Sequence, residues 1–231
     1  MNALRYGAGL LLAGLLAGGV PAARAQESLY GAQAPRDSAY LRFANTLPAD
    51  VTVRVDAQAS RTLGTQPAQR IGAYTVIEAV EGREVVVTAE AGGRTTRAVL
   101  KLRSGSYVTA LLQQGGDGAV ALRSWTDNTE YNQLRARLSF YNAMPSCPRA
   151  SLAIASNGSV VFPDVPMGAA SVRGVNPVST QLQATCAGQP AVPVALEGLE
   201  AGAMYSIWLM PDAKSAPAAF LTRDVVTPWR R

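Results

Sequence analysis

The feature that most constrains the fold of this 231-residue chain is a segment that occurs twice. Residues 41–48 (LRFANTLP) return as residues 138–145 (LSFYNAMP), with four identical positions and an offset of 97 residues. In both copies apolar residues fall at every second position, which is the period of a half-buried β-strand. The final proline donates no backbone hydrogen bond, so each strand is expected to end there. Two copies of one folding unit are the simplest explanation.

The same offset relates further segments of the two halves. Residues 85–89 (VVVTA) match residues 182–186 (LQATC), and residues 102–105 (LRSG) match residues 199–202 (LEAG). One inserted residue would then make Tyr107 equivalent to Tyr205. Ordered matches of this kind indicate a duplicated domain.

Short apolar runs separated by turn signals fill both halves. Residues 51–55 (VTVRV) alternate strictly between apolar and polar side chains, and glycine pairs such as Gly92-Gly93 are typical of hairpin turns. No window in the first half keeps a helical period over three turns. The sequence therefore predicts an all-β protein made of two tandem, similar β-sandwich domains. Their expected bounds are residues 39–127 and 134–231, with a polar linker at residues 128–133.

The first residues have the composition of a secretory signal peptide. A basic start precedes a short apolar run and a small-residue site, so residues 1–25 are expected to be removed between Ala25 and Gln26. Residues 26–38 then form an extended lead-in. The expected product is periplasmic, and after cleavage it does not span a membrane because the remaining apolar runs are too short.

The charge of the chain argues against nucleic acid as a partner. Its formal net charge is +5, and adjacent basic residues occur only at Arg230-Arg231. Scattered charge of this size is ordinary for a protein surface. An anionic polysaccharide stays an alternative partner that the charge does not require.

The two cysteines, Cys147 and Cys186, both lie in the second half. In an exported protein an even number of cysteines predicts a disulfide, although two reduced structural thiols are the alternative. The chain has no histidine, so neither a Ser-His-Asp triad nor a histidine-based metal site can be assembled. We therefore expect no enzyme activity and no cofactor.

Four side chains carry more specific expectations. Asn45 and Asn142 fall on the apolar face of their strands, so we expect each amide to satisfy backbone groups of the neighbouring loop. Trp125 and Trp208 are candidates for stacking on sugar rings, and packing in a core or between domains is the alternative for each.

The start of the mature chain resembles a known family. Leu29-Tyr30-Gly31, then Ala34-Pro35 and Ser38, then a strand holding Arg42 and Asn45, are similar to the first residues of mature alginate O-acetylation accessory proteins of the AlgF type. The likeness extends to chain length, the signal peptide and the two β-rich halves.

This resemblance implies a non-catalytic adaptor. Such a protein docks the periplasmic O-acetyltransferase proteins that modify an exported exopolysaccharide, alginate or a similar polymer. Leu29, Tyr30 and Gly31 are then candidates for the partner-docking surface, because a leucine and a tyrosine bury much area at an interface. The alternative function is a carbohydrate-binding module that holds the polysaccharide directly.

Overall fold

The structure is a computed structural model that describes residues 33–130 and 132–229. Almost all of its regular structure is β, and the strands form two similar sandwiches, as the repeat predicts. Among the described residues, no helix is long and apolar enough to cross a membrane.

The first sandwich contains eight strands and one short helix. The strands are β1 (Ala39–Asn45), β2 (Val51–Val55), β3 (Arg61–Leu63), β4 (Thr75–Ile77), β5 (Val85–Ala91), β6 (Arg94–Leu100), β7 (Tyr107–Gln114) and β8 (Val120–Thr126). Helix α1 (Pro67–Arg70) lies between β3 and β4.

The second sandwich also contains eight strands. They are β9 (Ala136–Asn142), β10 (Arg149–Ile154), β11 (Val160–Pro166), β12 (Ala169–Val175), β13 (Thr180–Cys186), β14 (Val192–Leu196), β15 (Met204–Pro211) and β16 (Pro217–Arg223).

Each sandwich has an inner sheet, which faces the other sandwich, and an outer sheet. The inner sheets have the strand orders β4-β1-β7-β8 and β12-β9-β15-β16, and the outer sheets have the orders β3-β2-β5-β6 and β11-β10-β13-β14. The two orders match strand for strand. In each inner sheet the first strand of the repeat pairs in parallel with the seventh, so both occupy the middle of the sheet.

The register of these parallel pairs corrects the expected insertion before Tyr205. Leu41 pairs with Val108 in the first sandwich, and Leu138 pairs with Tyr205 in the second. The offset of 97 residues therefore continues through the seventh strand, and Val108, not Tyr107, is equivalent to Tyr205. A slip of one residue would turn every side chain of the strand to the opposite face.

Alternation of side chains builds one apolar core inside each sandwich. Leu41 and Phe43 enter the first core, and Leu138 and Phe140 enter the second. Strands β1 and β9 are nevertheless buried on both faces, whereas the sequence predicts half-buried strands. The reason is that each inner sheet is covered on its other face by the opposite sandwich.

The two repeated asparagines bind the loops that follow their strands, as predicted. The Asn45 amide donates to the carbonyl groups of Ala49 and Gly64, at 2.9 and 3.0 Å, and its oxygen accepts the N–H of Leu47 at 2.9 Å. Asn142 repeats this arrangement with the carbonyl groups of Cys147 and Val165, at 2.9 and 3.0 Å.

The predicted disulfide is also confirmed. Cys147 follows β9, Cys186 ends β13, and their Cα atoms are 5.7 Å apart. Both residues belong to the core of the second sandwich. The bond therefore joins the loop that follows β9 of the inner sheet to β13 of the outer sheet in the same sandwich.

Candidate functional site at the interface of the two sandwiches

The largest group of buried polar side chains lies between the two inner sheets. We call it the interface cluster; its members are Arg42, Tyr74, Thr109, Asp127, Tyr141, Ser206 and Asp224. All seven are less than a tenth exposed. The first four belong to the first sandwich and the last three to the second.

Strand alternation places these side chains at the interface. In β1, Arg42 lies between Leu41 and Phe43, so it leaves the sheet on the face opposite to the core. In β9, Tyr141 lies between Phe140 and Asn142 and leaves its sheet in the same way. The apolar period that builds each core therefore also delivers polar side chains to the interface.

Arg42 is the centre of the cluster. Its Nη1 donates to Asp224 Oδ1 at 2.6 Å, Nη2 donates to the Tyr141 hydroxyl at 2.8 Å, and Nε donates to Thr109 Oγ1 at 2.8 Å. The guanidinium carbon also lies 4.4 Å from the centre of the Tyr74 ring, within range of a cation–π interaction. A charged side chain that is 1% exposed is thus bound on several sides.

Asp127 completes the network from the first sandwich. Its carboxylate accepts hydrogen bonds from the hydroxyl groups of Tyr141, Thr109 and Tyr74, at 2.6, 2.7 and 2.9 Å. Because Tyr141 and Thr109 also accept from Arg42, they connect the guanidinium to Asp127. The positive charge therefore interacts directly with Asp224 and through two hydroxyl groups with Asp127.

Burial and charge act in opposite directions on the pKa of Arg42. Burial alone lowers that pKa, but Tyr141, Asp224, Tyr74 and Asp127 outweigh it and raise the pKa above its usual value. Burial raises the pKa of Tyr74 and Tyr141 well above the ordinary tyrosine value, although Arg42 opposes the shift. Arg42 is therefore charged, and the two tyrosines are neutral, at physiological pH.

In the apolar part of the interface, equivalent positions of the two repeats hold side chains of different size that pack against each other. Ala44 and Leu111 of the first sandwich are equivalent to Tyr141 and Trp208 of the second. All four pack in one buried cluster. The Tyr141 and Trp208 rings stack with centroids 4.1 Å apart. The smaller aliphatic side chains of the first sheet thus leave room for the large rings of the second.

This geometry suits a structural role more than a reaction. The side chains of Arg42 and Asp224 are 1% and 0% exposed, so a substrate has no access to them in this arrangement. Four of the cluster's side-chain hydrogen bonds cross between the sandwiches. The cluster therefore holds the two sandwiches together as one unit.

The tryptophan candidates lie at this interface. Trp208 is fully buried and its Nε1 donates to Thr222 Oγ1 at 3.1 Å, so it has no free ring face for a sugar. A sugar-stacking role for Trp208 is therefore inconsistent with the structure. Trp125 is half-buried, with its ring 5.8 Å from that of Tyr141. Packing between the sandwiches accounts for both residues.

The remaining predicted site residues are Ala25, Gln26, Leu29, Tyr30 and Gly31, and all five lie outside the described residues. Within the described residues, no group of three or more acidic or cysteine side chains could hold a metal ion.

Sequence reasoning missed the partnership of Arg42 with Asp224. One signal for it was present, because Asp127 and Asp224 are also separated by 97 residues. The equivalence extends to the backbone. The N–H of Asp127 donates to the carbonyl of Tyr107, and the N–H of Asp224 donates to the equivalent carbonyl of Met204, both at 2.8 Å. Extending the repeat to the last strand would have identified the two aspartates as a pair.

Arginines line two surfaces outside the interface. On the outer sheet of the first sandwich, Arg54 and Arg97 flank Thr88 in one cross-strand row. In the second sandwich, a cleft of about 440 Å³ lies beside Arg135, Arg137 and Arg173.

No family model matches the chain, and no characterised protein matches its sequence.

Proposed function

We propose that the protein is a periplasmic, non-catalytic adaptor in the O-acetylation of an exported exopolysaccharide, alginate or a similar polymer. It docks the acetyltransferase proteins and acts through contact. The resemblance of Leu29-Tyr30-Gly31 and the residues that follow to the AlgF-type proteins supports this function.

The observation that carries the proposal is the position of the aromatic rings. Every aromatic side chain in the described part of the chain is buried or half-buried. Those near the interface, such as Tyr141 and Trp208, pack between the sandwiches, and others, such as Phe140 and Phe162, pack in a core. A module that holds a polysaccharide by stacking needs exposed rings, whereas an adaptor needs a firm scaffold with surfaces for other proteins.

The interface cluster favours such a scaffold. Its buried ion pair and hydrogen bonds fix one sandwich against the other, so surfaces on both keep a constant spacing. A partner that contacts both sandwiches then loses less conformational freedom on binding.

Replacement of Leu29 and Tyr30 by alanine tests the proposal in the producing cell. The expected result is loss of polymer acetylation and of co-purification with the acetyltransferase proteins, at an almost unchanged melting temperature. The matched control replaces Arg36 and Asp37, two exposed residues of the same lead-in, by alanine. If the leucine–tyrosine variant loses stability together with acetylation, the segment is structural. If acetylation is unchanged, the docking surface lies elsewhere.

One observation favours the second candidate, a carbohydrate-binding module. Arg54 and Arg97 are exposed on either side of Thr88, at a spacing of about 10 Å expected for side chains two strands apart. Such a row could bind the carboxylates of an anionic polymer without aromatic stacking. Titration with a polyuronate tests it, because binding should be lost in an R54E/R97E variant. Absence of binding to the unmodified protein would remove this candidate.

A further inference from the structure

The arginine-lined cleft of the second sandwich lies where three segments meet. The start of β9 contributes Ala136 and Arg137, the end of β12 contributes Arg173 and Gly174, and the chain that joins the sandwiches contributes Arg135. Because β9 and β12 are hydrogen-bonded neighbours, one side of the cleft is firm sheet backbone.

The charge of the cleft is strongly unbalanced. Three arginines line it, of which Arg137 is paired with Asp224, and Glu130 provides the only carboxylate among its described lining residues. Arg135 and Arg173 are exposed; no described group bonds the Arg135 side chain, and Arg173 donates to the carbonyl of Val161 at 3.1 Å. Neither forms an ion pair with a described carboxylate. An anionic partner would therefore find two available cations at the rim.

Arg137 provides a third, pre-positioned cation. It is only 6% exposed, it donates to the carbonyl of Asn128, and its Nη2 lies 3.8 Å from Asp224 Oδ2. Its Nε is buried and has no hydrogen-bond partner among the described residues. Arg137 thus connects the cleft to the interface cluster. Because its side chain is already held in place, it loses little conformational entropy when a partner binds.

An exposed leucine directly precedes Arg135 in the chain. Leu134 is 82% exposed, which makes it the most exposed large apolar side chain of the described residues. It lies in a turn in which its backbone N–H donates to Asn132 Oδ1 at 2.8 Å. An apolar side chain on a firm turn next to arginines suits a protein partner better than a sugar, since a protein supplies both an apolar contact and carboxylates.

We propose that this cleft, together with Leu134, is the docking surface for an acidic segment of a partner protein. Carboxylates of the partner bind Arg135 and Arg173, and its apolar side chain covers Leu134. The inference rests on the adaptor function proposed above, and it adds the location of a second docking surface and the chemistry of what binds there. Charge complementarity of this kind speeds association and selects among partners.

Titration of the full-length, oxidised protein with a fluorescein-labelled peptide of alternating glutamate and leucine tests the surface directly. We expect saturable binding that weakens as salt is added. An R135E/R173E variant should bind at least about tenfold more weakly, and L134A should also bind more weakly. The matched control, K101E/R103E, changes the net charge equally at two exposed residues between β6 and β7 of the first sandwich and should bind as the unmodified protein does. Backbone amide signals of Ala136, Val172 and Gly174 should shift on titration.

Several results would overturn the proposal. Equal loss of binding in both double variants would mean general charge attraction, and no loss in R135E/R173E at an unchanged melting temperature would mean that the cleft is not the site. Binding of a polyuronate but not of the peptide, lost only in R135E/R173E, would make the cleft a carbohydrate site.

Acetylation in cells separates this proposal from the adaptor function. If deletion of the protein abolishes acetylation and R135E/R173E restores it fully, the docking surface is wrong and the adaptor function stands. If deletion leaves acetylation unchanged, the adaptor function fails, and the peptide titration still decides what the cleft binds.

Discussion

Asp127 and Asp224 occupy equivalent positions in the two sandwiches, and each binds a side chain of the other sandwich. Asp127 accepts the hydroxyl of Tyr141 at 2.6 Å, and Asp224 accepts Nη1 of Arg42 at 2.6 Å. Each sandwich therefore contributes one carboxylate and one donor to the interface. The two equivalent aspartates therefore bind different side chains, and both hydrogen bonds join the two sandwiches.

Replacement of Arg42 should lower the free energy of unfolding of the protein. An Arg42→Met variant leaves Asp224 buried without its main cation, which typically costs about 3–5 kcal/mol of unfolding free energy. Denaturation in urea measures this loss. The control is Arg223→Met, which breaks the exposed pair with Glu200 and should hardly change the midpoint, since solvent screens such pairs. A similar midpoint for both variants would contradict the central role of Arg42.

The buried tyrosines predict loss of stability at high pH. Burial raises the pKa of Tyr74 and Tyr141 above the ordinary value of about 10. The fold therefore favours their neutral forms, and this contribution is fully present below pH 10 and lost as the pH rises above it. The ultraviolet absorbance of tyrosinate, followed during alkaline titration, should be the same for the unmodified protein and Tyr141→Phe until unfolding begins. A smaller signal in the variant before unfolding would show that Tyr141 titrates in the folded state.

The disulfide should stabilise the second sandwich. Its cysteines are 39 residues apart, and closing a loop of this length contributes about 3–4 kcal/mol in the chain-entropy model. A Cys147→Ala/Cys186→Ala variant should therefore unfold at lower denaturant concentration, while hydrogen exchange of the first sandwich's core strands changes less than that of the second. Equal stability of the two proteins would mean that the bond has no stabilising role.

The repeated asparagines should be equally important in the two sandwiches. Asn45→Ala or Asn142→Ala leaves buried carbonyl groups and one N–H without partners, at a cost of about 1–3 kcal/mol each. Thermal denaturation checks this expectation. Asn157→Ala is the control, because Asn157 accepts the N–H of Ser159 in the same local manner but is exposed. A loss of similar size in the control would refute the argument from burial.

Strands with a clear alternating pattern could be predicted from the sequence. Strand β2 covers the alternating residues 51–55, and β1 and β9 include the alternating part of the two repeated segments. Strand β3 (Arg61–Leu63) and helix α1 (Pro67–Arg70) were missed, because each is too short to show a period and contains one buried residue. The apolar period carries information only where a segment is long enough to repeat it.

The register of the seventh strand shows where similarity between residues misleads. Aligning the two tyrosines by residue type is misleading, because Tyr107 lies on the face of its sheet away from the core. Its ring stacks there on that of Tyr40, with centroids 4.3 Å apart. Tyr205 belongs to the core of the second sandwich. Residues of the same type therefore face opposite sides, and only the pairing with the neighbouring strand decides which face is which.

The sequence by itself determined the folding unit, its duplication, the core side chains, the loop-binding asparagines and the disulfide. These follow from local periodicity, from the offset of 97 residues between the repeats and from the even number of cysteines. Only the tertiary structure decided what covers the second face of β1 and β9. The partners Arg42 and Asp224 are 182 residues apart, and their contact depends on how two complete sandwiches pack. Strand periodicity predicts on which face of a sheet each side chain lies, but the packing of the two sheets against each other determines which of these side chains are in contact.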